Sequence, residues 1–348
     1  MTKTKLKIGI TSAVLMILTI VCFILFKTSI LTHNSNYISG HSTETYITNS
    51  IETLKDEKSL LVFYKQDSKV VDHIIDCVFD SPDLFWIKPK YYRLNLGDYE
   101  FLLFKKKYNI NEAKAEIDKQ TESIINDIVE PDMSDYEKTL AIHDWICKNV
   151  SYEQADDTSD QDIYGALVNR KALCAGYAEA FSYLLGKVGV KSSVVSGDAI
   201  DKNGNRISHA WNIVYINGKP YYFDITWDDF NNKIVYDWFG LPLNMFSYSH
   251  FPSTGYEWVD STGVDACYYA KKGMYISKYS PEIISRQIAQ QGRTFTIMCE
   301  DKAVYNEVIN AIQNKEELLQ IMRLSGIASI ENPTYLIKRN SLCITITL

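Results

Sequence analysis

Cys174, His209 and Asp224 are the residues whose types and order could do chemistry together. A thiol, an imidazole and a carboxylate supply a nucleophile, a proton shuttle and an orienter, which is what acyl transfer through a thioester requires. From Tyr177 the apolar residues fall at Tyr177, Phe181, Leu184, Leu185 and Val188, one face of an amphipathic helix that Gly189 ends. Cys174 then sits in the first turn, where unpaired backbone N–H groups and the positive end of the dipole favour a thiolate. Arg170 and Lys171 add positive charge just upstream, and Gly176 removes a side chain beside the thiol, so that a substrate backbone can approach.

His209 and Asp224 come from the next two strands. HAWNIVYI alternates, Asn217-Gly218 is a two-residue hairpin signal, and PYYFDITW carries the return strand. With that loop Ile216 pairs with Lys219, so that Trp211 faces Asp224 and His209 faces Thr226. Paired side chains project on one face, which makes His209 and Asp224 diagonal neighbours within reach of an imidazole–carboxylate hydrogen bond. Taken singly, a cysteine at a helix start is more often a small buried hydrophobe, and a strand histidine a satisfied structural residue. The three in combination shift the balance to chemistry.

Three blocks in order, ALCAGYAEAF, SHAWN and YYFDITWDD, resemble the transglutaminase-like superfamily of papain-fold cysteine enzymes, in the form found in many bacterial secreted proteins. The spacing also fits, with 35 residues from Cys174 to His209 and 15 from His209 to Asp224. The resemblance covers roughly residues 134 to 255 and implies Cys174 as nucleophile, His209 as general base and acid, and Asp224 as orienter. It implies an α+β architecture with a papain-like, transglutaminase-like core, in which the helix carrying the nucleophile packs on an antiparallel sheet. DIYGALV, upstream, also resembles the family; Tyr164 is assigned there as a substrate or oxyanion group, with a core aromatic as the alternative, and Trp211 is assigned to the same role. The stretch ending SYSH brings His250, which the resemblance places after the acid, lining the cleft but outside the triad.

The elements that must carry these residues divide the chain as follows. Residues 1–7 are a cytoplasmic stub with Lys3, Lys5 and Lys7, and 8–26 are 19 residues without a charge, long enough for an N-terminal transmembrane helix. A buried helix and a cleaved signal peptide are the alternatives; no small-x-small pattern follows the run, so an uncleaved anchor is favoured. Residues 27–43 form a polar linker, 44–110 an N-terminal α+β region, 111–258 the catalytic domain, and 265–348 a small α/β C-terminal region without catalytic residues. Within the catalytic domain, Ser134 caps a helix whose His143, Asp144 and Trp145 read as packing and buttressing. The acidic stretch 153–162 reads as a solvated loop, because it lacks the spacing and glycine of a calcium loop.

With 348 residues, 46% of them hydrophobic and 13% aromatic, the chain can bury a sizeable core. A net charge of −7 and the absence of a basic cluster beyond the first residues argue against nucleic acid as a partner. The seven cysteines are scattered without a CxxC pair, so neither a metal site nor a disulfide framework is expected; no cofactor is implied. The expectation is a membrane-anchored extracytoplasmic cysteine enzyme acting on peptide or carboxamide bonds, as a peptidase, an amidase or an amine acyltransferase. Its substrate would be a protein or peptide, a cell-wall peptide among them. The alternative is a non-catalytic protein- or cell-wall-binding module on the same fold.

Overall fold

The computed structural model describes residues 38–153, 161–230, 233–253, 257–292, 294–326 and 333–348, with breaks at 39, 41, 56–57, 80, 82–83, 85–86 and 107–108. The apolar run 8–26 and most of the acidic stretch 153–162 lie outside the described residues. Among the described residues no helix is long and apolar enough to cross a membrane.

The chain divides into two compact units, one reaching to residue 79 and including 87–107, the other made of 80–86 and 108–348. In the first, α1 (Thr43–Lys55) and α2 (Ser68–Phe79) accompany an antiparallel sheet of β1 (Leu60–Tyr64), β2 (Ile87–Leu96) and β3 (Tyr99–Lys106), ordered β1–β3–β2. Strand alternation sends Leu61, Phe63, Leu102 and Phe104 into the core, while Tyr92, Leu94, Leu96 and Leu103 stay exposed on the opposite face.

The second unit opens with α3 (Ile110–Ile128) and α4 (Asp135–Asn149). Ser134 starts α4 through a capping box with Glu137, which satisfies two of the helix's orphan N–H groups reciprocally. Next comes α5 (Cys174–Lys187), whose Tyr177, Phe181, Leu184 and Leu185 are buried, and which ends before Gly189 at φ 80°. It packs on β4 (Ser192–Ile200) and β5 (Arg206–Ile216). With β6 (Lys219–Phe223), β7 (Phe239–Leu241) and β8 (His250–Pro252) these strands form a five-stranded sheet ordered β7–β6–β5–β4–β8, antiparallel at every pairing. A helix on an antiparallel sheet in a mixed α+β chain is the papain-like, transglutaminase-like core expected of the sequence.

The hairpin register is the expected one, with Ile216 opposite Lys219 and Asn212 opposite Phe223. Asn217 and Gly218 both take positive φ, 51° and 77°, as a type I′ turn requires. The return strand, however, stops at Phe223 and does not run on through DITW. Asp224 instead becomes the N-cap of a one-turn helix, α6 (Ile225–Asp228), its carboxylate accepting the N–H of Trp227 at 3.2 Å. That local bond offers the backbone an alternative to the ladder, so the pairings of Trp211 with Asp224 and of His209 with Thr226 do not form.

Residues beyond 265 build a four-stranded sheet from β9 (Tyr275–Ile276), β10 (Thr294–Cys299), β11 (Thr334–Lys338) and β12 (Cys343–Thr347), ordered β9–β10–β12–β11. It is accompanied by α7 (Pro281–Gln291), α8 (Lys302–Gln313) and α9 (Lys315–Leu324). One apolar cluster runs from Val195 and Trp211 through Trp238, Phe246 and Cys267 to Ile297, Ile344 and Leu348. The C-terminal sheet therefore shares its core with the sheet that carries His209.

Candidate active site

Cys174 is the first residue of α5 and is half-buried. The preceding residue, Leu173, occupies the N-cap with no side-chain acceptor, so the first N–H groups of the helix are left to whatever lies beside the thiol. Leucine is a poor cap, and it leaves the helix start open. Strand β5 brings His209 to this helix, and Asn212, three residues along, donates its amide to Ala178 O at 2.9 Å, tying strand to helix. Opposite His209 stands Gly197 of β4, where a Cβ would lie 2.2 Å from Phe251 O and 2.7 Å from the Trp211 ring. Only glycine lets β8 and Trp211 close in behind the imidazole.

His209 Nε2 lies 2.7 Å from Asp224 Oδ2, and the Cys174 side chain is near enough to the same ring to act on its charge. With Nε2 engaged by the carboxylate, Nδ1 is the nitrogen left for the thiol. Burial opposes a charged ring. Asp224, through its charge and its hydrogen bond, and Cys174 outweigh that burial and push the His209 pKa up to about 10. Asp224 is fully buried, which would raise its pKa, yet His209 and then His250 hold it down at about 2. The indole of Trp227 stacks on the His209 ring, with centroids 4.7 Å apart and planes 22° apart, shielding the imidazole–carboxylate bond from water.

His250 is part of this arrangement. Its Nε2 lies 3.1 Å from the same Asp224 Oδ2, so one carboxylate oxygen receives two imidazoles, while Oδ1 takes the Trp227 N–H. Among the described residues, His209, Asp224 and His250 form the one group of such side chains compact enough to share a metal ion, all within 4.8 Å. Each nitrogen already meets Oδ2 at hydrogen-bonding distance, so the set is a relay of donors on one acceptor.

The other residues marked in the sequence lie elsewhere. The Tyr164 hydroxyl donates to Glu116 Oε2 on α3 at 2.9 Å. Trp211 is buried in the core behind the triad, its ring edge-on to His250 at 5.0 Å. Arg170 and Lys171 do not turn toward the thiol: Arg170 lies over the Trp145 ring at 4.5 Å and donates to Gln120, and Lys171 pairs with Glu153 at 2.9 Å. An aromatic that sequence reasoning did not mark, Tyr152, is brought to the residues that lead into the nucleophile. Residues Ser151–Tyr152 pair in parallel with Lys171–Ala172, directly before Cys174. Burial first, then the neighbouring Cys174 and Asp224, raises the Tyr152 hydroxyl to about 12, although the side chain is 52% exposed. It is thus a neutral, accessible ring.

Residues 122–226, the stretch holding all three triad positions, match the family model described as Transglutaminase-like superfamily. This part of the chain is a transglutaminase-like domain. Over 115 residues, 30% of this chain and 17% of the relative, the sequence is 30% identical to kyphoscoliosis peptidase of Mus musculus. The match therefore spans under a fifth of that protein's length. Two solved structures share slighter likenesses. One, a candidate cysteine protease of Cytophaga hutchinsonii, is 14% identical over 47% of this chain and 65% of that chain, at a TM-score of 0.29. The other, a TGase, is 17% identical over 55% of this chain and 59% of that chain, at 0.28.

Proposed function

We propose that the protein is a cysteine acyl-transfer enzyme acting on peptide or carboxamide carbonyls. The observation that carries this reading is the single imidazole held by Asp224 at 2.7 Å beside the thiol at the start of α5. The Cys174 sulfur attacks the carbonyl carbon, and the developing oxyanion is met by the open N–H groups of the helix start. The C–N bond then breaks as imidazolium His209 gives its proton to the leaving amine, which leaves a thioester on Cys174. Water, or a second amine, loses a proton to His209 and attacks the thioester, releasing a carboxylic acid or a new amide and restoring the thiol. Asp224 holds the ring in the tautomer and direction these transfers need.

Water as acceptor makes a peptidase or amidase, and a lysine amine makes a crosslinking enzyme; the kyphoscoliosis relative, by its name, favours the peptidase. The uncharged run 8–26 behind Lys3, Lys5 and Lys7 supports a membrane anchor with the body outside the cytoplasm, where protein and cell-wall peptides are the available substrates. A thiol-directed acyl probe applied to the full chain should label Cys174 in intact mass, and Cys174→Ser should lose the label while keeping its fold. Labelling spread evenly over the cysteines would sink the enzyme reading in favour of a binding module.

A further inference from the structure

His250 is fully buried in a box of rings: Phe246 stacks on it at 3.9 Å, and Trp211, Trp227 and Trp238 surround it at 5.0, 4.9 and 4.9 Å. Such a box excludes water, so any N–H or carboxylate inside it must find a protein partner. Strand β8 supplies the placement, because His250 pairs with Ala199 on β4, two residues from the Gly197 that faces His209. An ionised Asp224 only accepts, so His250 must carry its proton on Nε2 to meet Oδ2 at 3.1 Å. Its Nδ1 then accepts from the Ser249 hydroxyl at 3.1 Å, which gives both ring nitrogens a partner. Burial, the largest influence on the ring, keeps His250 neutral against the pull of Asp224, and the nearby His209 acts in the same sense as burial.

We propose that His250 is a positioning residue of the site, a neutral second donor that pins Asp224 Oδ2 and takes a share of its charge, so that the carboxylate aims His209 without locking the proton onto it. The chemistry demands such a brake. A buried carboxylate whose only partner is an imidazole holds that imidazole's proton tightly, and a proton held too tightly is not delivered to a leaving amine. The groups facing His209 are Asp224 at the start of α6, Cys174 at the start of α5, His250 across β4, and the uncharged ring of Trp227. Tyr152 faces Cys174 and Asp224 in turn. Beside the Trp227 N–H on Oδ1, His250 is the donor that draws charge from Oδ2, the oxygen that holds His209, without gaining or losing a proton in the working range.

The inference rests on the thiol–imidazole reading above, but its test needs no turnover. In the full chain, side-chain nitrogen NMR follows the proton on His209 as pH rises, alongside the pH dependence of Cys174 alkylation by iodoacetamide. His250→Phe keeps a ring in the box and removes the donor; the midpoint for His209 should move up by about one pH unit, as loss of a hydrogen bond to a charged group implies. His250→Gln, which retains an N–H, should restore most of the difference. An unmoved midpoint in folded His250→Phe overturns the proposal, as does an equal shift in both variants, which would mean that only the packing of the ring matters. Where His250→Phe does not fold, Ser249→Ala removes the donor on Nδ1, weakens the ring as a donor to Oδ2 and should give a smaller shift in the same direction; none would count against the proposal equally. A chain that shows the shift yet labels with no acyl probe would overturn the enzyme reading and leave this one standing.

Discussion

Among the described residues, two buried histidines sit with a cysteine and an aspartate, and they are built differently. In the first, His209 spends one ring nitrogen on Asp224 and keeps the other for Cys174. In the second, on α4, His143 spends both: Nδ1 lies 2.9 Å from Asp144 Oδ1 and Nε2 3.1 Å from Asp228 Oδ2, with Cys147 Sγ 3.9 Å away and giving its proton to Ile225 O. Burial raises the pKa of the Cys147 thiol, and His143 only partly offsets this. Cys147 also lies in the last turn of its helix, far from the donor end, whereas Cys174 opens one. The comparison teaches that residue types do not make a site; a free ring nitrogen, an open helix start and access do.

The largest effect that would break this contrast comes from the two aspartates. Asp224→Asn should lower turnover by about 10²- to 10⁴-fold with the fold intact, because the wrong tautomer is then favoured; steady-state kinetics on the purified chain would show it. Asp228→Ala should instead act on stability, by about 3–5 kcal/mol in denaturant unfolding, since it strands a buried imidazole. Equal kinetic losses per folded molecule in the two variants would erase the distinction.

The pH dependence of stability separates them next. The Asp224 pKa is depressed, so its contribution is present above ~3.9 and is lost as pH falls through about 2. The His209 pKa is raised, so its contribution is full below ~6.5 and is lost as pH rises through about 10. The site pair is therefore complete between roughly pH 4 and 6.5. Asp228 goes the other way: burial, outweighing the pull of His143, raises it to about 7, so its contribution is full below ~3.9 and fades as pH climbs through about 7. Unfolding midpoints of wild type against Asp224→Asn and Asp228→Asn, measured from pH 3 to 10, should differ most in mid-range for the first and at the acid end for the second.

The smallest effect sharpens the comparison from the side of α4. Ser134→Ala removes the capping box that starts this helix and should cost about 1 kcal/mol of stability while leaving the alkylation profile of Cys174 unchanged. A shift in that profile would mean that the buried constellation reaches the thiol.

Much of this was legible in the residues. The face of Tyr177, Phe181, Leu184 and Leu185 announced α5 and placed Cys174 at its start, and Asn217-Gly218 announced the hairpin with its register. The continuation through DITW was misread because its alternation resembles a strand, and one side-chain bond from Asp224 decides otherwise. Arg170 and Lys171 are neighbours of the thiol in sequence, but Arg170 turns the chain at φ 61° and both side chains find partners elsewhere. His250 reaches Asp224 across 26 residues by pairing β8 with β4, and local pattern carries no trace of such a contact. Tyr152 is brought to the residues before Cys174 in the same way, by a parallel pairing between two-residue strands.

The helix α6 is a gauge of fixed length. Asp224 and Asp228 are one turn apart, closed by the Asp228 N–H on Asp224 O at 3.2 Å, and each holds a different imidazole. One added or deleted residue between them would rotate one carboxylate by about 100° relative to the other, so that no single setting of the backbone could serve both histidines. The three residues 225–227 therefore tolerate exchange of side chains far better than any change in their number.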